Sequence, residues 1–275
     1  MKIIRVFPSV TKATPDDALA YYGDPPLLFP PEADEIHISI TFSWDRARGE
    51  RLAEAWEKVA PVKVGGPGVG MAGGDFVPGK YLKPGYVITS RGCPNRCWYC
   101  GVWKREGDVR ELPITEGTNV LDDNLLACST EHISGVLNML KRQRGRVALT
   151  GGLEARRLDE WRADALADMR AKFHRIYFAF DKPADRDPLF EAGEKLRKRG
   201  FARRDPLCSD VLIGYPNDSI AGAESRLTEC YAAGFMPFAM LYRGEDGKRD
   251  REWARFQRTW NRPALIEARM RREGA

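Results

Sequence analysis

Three cysteines crowd into eight residues, Cys93, Cys97 and Cys100, within the segment Tyr86-Val-Ile-Thr-Ser-Arg-Gly-Cys93-Pro-Asn-Arg-Cys97-Trp-Tyr-Cys100. Thiolates are the soft ligands that zinc and iron–sulfur clusters take. Their number is informative. A closed structural zinc site needs four ligands, and none of His37, His132 or His174 is adjacent to the three cysteines. Three thiolates on a four-iron cluster leave one iron open, and an open metal position is where chemistry happens. The spacing also differs from the paired Cys-X2-Cys of zinc ribbons. Gly92 and Pro94 favour a turn that wraps a bulky group. Cys128, Cys208 and Cys230 stand alone and read as small buried hydrophobes. A disulfide framework would scatter its cysteines through a small secreted chain, so this pattern points to metal in a reducing, cytoplasmic compartment. The competing reading of the same residues is a non-enzymatic zinc or iron–sulfur module that binds nucleic acid.

Such ligands need a scaffold, and 275 residues with 43% hydrophobic content suffice for one. Residues 1–78 read as a small α/β unit. Strands are expected at 3–7, 35–42 and 62–64, and a helix at 46–59 with Leu52, Ala55, Trp56 and Val59 on one face. A glycine-rich loop follows at 65–74. From residue 79 the pattern changes to strand–helix units, with strands starting near Tyr86, Thr118, Val147, Ile176, Asp210 and Met236. Helices are expected at 130–144, 158–173 and 185–199. A further one is capped by Asp218, faces inward through Ile220, Ala223, Leu227 and Tyr231, and stops at Gly234. A βα step of about 30 residues recurs. Together these features predict an α/β fold, a partial six-stranded parallel (β/α) barrel over residues 79–246. The loops after the carboxyl ends of its strands would carry the site.

The cysteine segment resembles the signature of the radical S-adenosylmethionine (radical SAM) enzymes, Cys-X3-Cys-X2-Cys after the first barrel strand. It is most similar to the subgroup with cobalamin-dependent and methylthio-transferring members. The resemblance covers roughly residues 79–242. It implies that Cys93, Cys97 and Cys100 bind a 4Fe-4S cluster, and that S-adenosyl-L-methionine chelates the fourth iron. It implies reductive cleavage to methionine and a 5′-deoxyadenosyl radical, which takes a hydrogen from a substrate. An external low-potential electron donor, flavodoxin- or ferredoxin-like, would supply the electron. Tyr99 matches the aromatic position that lies against the adenine. Many members carry Gly-Gly-Glu after the second strand, for the methionine ammonium. Here Asn119-Val-Leu-Asp122-Asp123-Asn124 stands in that place, with Asp122, Asp123 and Asn124 as alternative acceptors. Gly151-Gly152-Leu-Glu154-Ala-Arg156 follows the third strand, and Asp181 and Lys182 follow the fourth. Asp181 is the candidate for the ribose hydroxyls. Gly214 matches a segment near the adenine, where glycine permits close backbone approach.

The ends of the chain add little chemistry. The order and position of residues 1–78 resemble a truncated cobalamin-binding domain, but the Asp-X-His-X-X-Gly motif is absent. Cobalamin is therefore not expected, and His37 reads as a packing residue. The net charge of +5 belongs to residues 247–275, with nine Lys/Arg against four Asp/Glu. That segment reads as a basic helical tail with Trp253, Phe256 and Trp260 inward. Its outer face is either an ordinary solvated surface or a patch for a phosphate-bearing partner, RNA among the substrates considered. No apolar run reaches 18 residues, so no membrane span is expected.

Overall fold

The structure, a computed structural model, describes residues 1–203, 205–244 and 246–273, the last without its side chain. The chain divides into two compact units: Met1–Thr115 with Gly244–Gly247, and Glu116–Arg243 with Lys248–Ala275. Among the described residues no helix is long and apolar enough to cross a membrane.

The first unit contains β1 (Ile3–Phe7), β2 (Ala20–Tyr22), β3 (Glu35–Ser39), α1 (Arg46–Trp56) and β4 (Val62–Gly65). Then come β5 (Tyr86–Val87), β6 (Ser90–Arg91), α2 (Val102–Glu106) and β7 (Arg110–Glu111). A parallel sheet forms in the order β2-β1-β3-β4. Ile4, Val6, Ile36 and Ile38 are buried in it, and Leu52 and Trp56 of α1 pack on them. Those two residues lie four apart, so they share one helix face. The buried Arg5 of β1 donates to the carbonyls of Gly79 and Lys80, at 3.0 and 2.7 Å, and pairs with Asp17. A buried guanidinium is tolerable only when its donors are taken, so Arg5 fastens residues 79–80 to the sheet. His37 is a packing residue, as its place in a strand suggests: it bonds Glu35 and the Tyr81 hydroxyl.

The second unit contains β8 (Asn119–Val120), α3 (Thr130–Arg142), β9 (Val147–Leu153), α4 (Glu160–Ala167) and β10 (Phe173–Ala179). It continues with α5 (Arg186–Lys198), β11 (Leu207–Ile213), α6 (Ile220–Ala232), β12 (Met236–Leu241), α7 (Arg251–Thr259) and α8 (Pro263–Glu273). The expected six-stranded parallel sheet is present, and five of its strands, in sequential order from β8 to β12, belong to this unit. This is an α/β architecture compatible with a partial barrel. Right-handed crossovers between sequential parallel strands place α3, α4, α5 and α6 on one face. Along β11, Ser209, Val211 and Ile213 are fully buried, and the intervening Cys208, Asp210 and Leu212 alternate to the other face.

Helix starts follow their caps. Ser129, Asp159 and Ser219 each accept from the backbone three residues on. Ser219, not Asp218, therefore caps α6. Asp218 is held elsewhere: it accepts from the Gly214 amide at 2.8 Å and forms a buried pair with Arg226, also 2.8 Å. α4 is shorter than the expected 158–173, because β10 already begins at Phe173.

Candidate metal and cofactor site

The cysteine loop is closed at its base by backbone. β6 and β7 pair antiparallel, Ser90 with Glu111 and Arg91 with Arg110. The Cys93 amide donates to Gly107 O at 3.1 Å, and Leu112 N donates to Thr89 O at 2.8 Å. Gly92 sits at φ +86°, and a Cβ there would meet Asp108 O at 2.2 Å. Both facts demand glycine. Inside the loop, Cys100 N and the Trp103 indole N–H both donate to Cys97 O, at 3.1 and 3.0 Å. Cys93, Cys97 and Cys100 are half-buried thiols, while Cys128, Cys208 and Cys230 are buried. Tyr99 meets Trp98 edge-on at 5.5 Å.

One supporting residue carries no signal in the sequence. Glu106, whose side chain is only 1% exposed, accepts from the Gly73 amide at 3.1 Å through both carboxylate oxygens and from Arg105 at 2.8 Å. Arg110 and Arg91 donate to the carbonyls of Gly73 and Gly74, at 2.8 and 3.2 Å. The glycine-rich loop thus serves as a backbone partner that braces the cysteine loop.

This bracing yields a direct test. Gly92→Ala is expected to lower stability by more than about 2 kcal/mol, from left-handed strain plus the clash with backbone. Gly101→Ala, whose Cβ would meet nothing within 4 Å, should cost less than about 1 kcal/mol. Urea unfolding of both variants checks this. Equal losses would mean that the Gly92 turn bears no special constraint.

In the second unit the parallel strands bring several predicted residues to one edge, that of their carboxyl ends. Asp122 and Asn124 are buried after β8, and Asp123 is half-buried. Asn124 Nδ2 donates to Glu154 Oε2, after β9, at 2.8 Å, and Arg157 Nε donates to the same oxygen at 2.7 Å. Arg157, rather than Arg156, thus pairs with Glu154. Arg156 donates to Ala184 O. Gly151 lies against the Asp122 backbone, where a Cβ would come within 2.0 Å of Asp122 O. A shallow hollow there is lined by Val120, Asp122, Leu125, Leu149 and Gly151–Leu153.

Further along the same edge, Asp181 Oδ1 accepts from Leu212 N at 3.1 Å, tying the end of β10 to β11. Gly214 ends β11 at φ +70°, with Leu241 and Trp253 pressed against the place its Cβ would take. Sequence reasoning missed Asp210. Burial, and then the negative charge of Asp181, push its carboxyl up to about 7. Burial likewise raises Tyr177 and Cys208, whose neighbour Arg175 approaches the tyrosine hydroxyl at 3.3 Å and the thiol at 3.8 Å.

Among the described residues, no group of three or more His, Cys, Asp or Glu side chains is gathered as for a single metal ion. No protein-family model matches the chain. No curated protein matches it either.

Proposed function

We propose that this protein is a radical SAM enzyme that reductively cleaves S-adenosyl-L-methionine. The observation that carries the reading is the cysteine loop: three thiols in eight residues, after β5 and β6, on backbone closed by a hairpin. This donor set fits a 4Fe-4S cluster. Each thiolate takes a different iron, so the sulfurs need not converge on one point as they do around zinc. When bound there, such a cluster would supply the one electron needed to cleave a carbon–sulfur bond of S-adenosyl-L-methionine reductively.

The chain's own groups bind and orient. Cys93, Cys97 and Cys100 hold the cluster, and Tyr99 offers a flat face to the adenine. Asn124 and Glu154, joined at the ends of β8 and β9, supply acceptors for the methionine ammonium. Asp181, which also accepts from Leu212 N, offers a carboxylate as acceptor for the ribose hydroxyls. Gly214 offers backbone near the adenine. An external flavodoxin- or ferredoxin-like donor delivers the electron.

Anaerobic reconstitution with iron and sulfide tests this. The expected product is a protein with about four irons per chain that makes 5′-deoxyadenosine from S-adenosyl-L-methionine once reduced with dithionite. A reduced, fully loaded cluster that leaves S-adenosyl-L-methionine intact would refute the proposal.

A further inference from the structure

The basic C-terminal segment has two faces with separate tasks. The inner face of α7 seals an edge of the sheet. β12 is the last strand, so its outer backbone groups lack a strand partner. Side-chain amides take that role at Ala239. Its N–H donates to Asn261 Oδ1 at 2.9 Å, and its carbonyl accepts from Gln257 Nε2 at 2.9 Å. Trp260 is buried, and Arg269 lies over its ring at 4.9 Å while pairing with Glu224 of α6.

The outer face has no such internal duty. Arg251, Arg255 and Arg258 follow one another at i, i+4 and i+7, which places them on one stripe of α7. Arg262 follows in the turn before α8. All four are exposed. Among the described residues none of the four side chains makes a hydrogen bond or an ion pair, in contrast to Arg269 and Arg271 of α8, which pair with Glu224 and Glu267. Like charges three and four residues apart destabilise a helix. A cation at the first position of α7 also opposes the helix dipole. The stripe is therefore a cost to folding, and among the described residues no acidic side chain pairs with it.

We propose that Arg251, Arg255, Arg258 and Arg262 form a docking surface for the phosphodiester backbone of a nucleic acid. Guanidinium groups bind phosphate oxygens in a bidentate fork, and successive helical turns present them to a regularly charged chain. A membrane surface fits less well. An interfacial helix needs exposed apolar side chains opposite its charges, and α7 turns Trp253 and Phe256 toward the sheet side, leaving no large exposed apolar residue of its own. This inference goes beyond the proposed reaction and stands independently of it. Backbone contact further implies indifference to sequence and sugar.

Fluorescence anisotropy of the full chain with labelled 20-nucleotide single-stranded RNA and DNA, across a salt series, tests the surface. Four phosphate contacts on a single strand give a slope of log affinity against log salt of about −3. Affinity should thus fall about 50-fold between 50 and 200 mM KCl, for RNA and DNA alike. In Arg255→Ala/Arg258→Ala the slope should halve, leaving a fall of about sevenfold, with an unchanged urea unfolding midpoint showing that the fold is kept. Absence of binding would overturn the proposal, as would a slope untouched by the double substitution. Binding confined to phosphatidylglycerol vesicles or to polyglutamate would overturn it too.

Discussion

Replacing Cys97 by alanine should leave the anaerobically reconstituted protein with far less than one cluster per chain and lower 5′-deoxyadenosine formation by more than about 100-fold. Even changes in the outer shell of a metal site cost 10- to 100-fold, and Cys97 is a ligand in the proposed site. Its backbone is also the hub of the loop, since the Cys100 amide and the Trp103 indole both bond its carbonyl. Alanine keeps that carbonyl, so the loop survives while one thiolate is lost. Cys208 and Cys230 are poor substitutes. Burial pushes the Cys208 and Cys230 thiols up, and the ligating form is the thiolate. Cys208→Ala and Cys230→Ala should therefore keep their iron. Iron analysis, the visible absorption of the cluster, and chromatography of the nucleoside product check all three variants. Retention of iron and product in Cys97→Ala, or equal losses in Cys208→Ala, would remove the loop from its role.

The elements of the fold are legible wherever one face is apolar and a cap marks the start. α3 begins at Thr130, as read from its sequence, because Ile133, Val136, Leu137 and Leu140 form one continuous buried stripe, and the structure adds Ser129 as its cap. β10 and β11 are less legible. They begin at Phe173 and Leu207, three residues before Ile176 and Asp210, where the sequence pattern places their starts. The cause is that His174, Arg175, Cys208 and Ser209 interrupt that pattern while occupying strand positions. Asp210, which looks like the start of a strand, is its middle. β2 escapes notice because three residues among prolines and aspartates carry no period; only pairing with β1 makes Ala20–Tyr22 a strand. The cysteine motif could be read directly, since its ligands are neighbours in sequence. The pair Asn124–Glu154 could not. Those residues stand 30 apart and meet only because β8 and β9 run side by side in parallel register. Glu106 gives no sequence signal for the same reason, its partner Gly73 lying 33 residues away.

Asp210→Asn should stabilise the protein at pH 8 by about 2–4 kcal/mol and change it little at pH 4. The carboxyl sits in mid-β11, opposite Ala179 of β10 and Phe238 of β12. Dense surrounding protein disfavours its charged form, and the Asp181 carboxylate at the end of β10 adds like-charge repulsion, which together bring it to about 7 against an ordinary 3.8. Among the described residues Tyr177 from β10, Cys208 from its own strand and Cys230 of α6 are further titratable groups that feel its charge, and Phe238 and Met240 of β12 carry none. Between about pH 4 and pH 7 the folded chain keeps a proton that the unfolded chain releases. Stability must then fall as pH rises through that window, by at most about 1.4 kcal/mol per pH unit, and level off above it. The protonated carboxyl and the amide of asparagine have nearly the same shape and neither is charged, so the substitution removes only the penalty for ionising. Other groups titrate alike in both proteins, and the difference between their urea-unfolding free energies isolates Asp210. Asp181→Asn should bring part of the same gain, because it removes the repulsion and leaves the burial. A gain from Asp210→Asn of the same size at pH 4 and pH 8 would mean that the carboxyl ionises at its ordinary value.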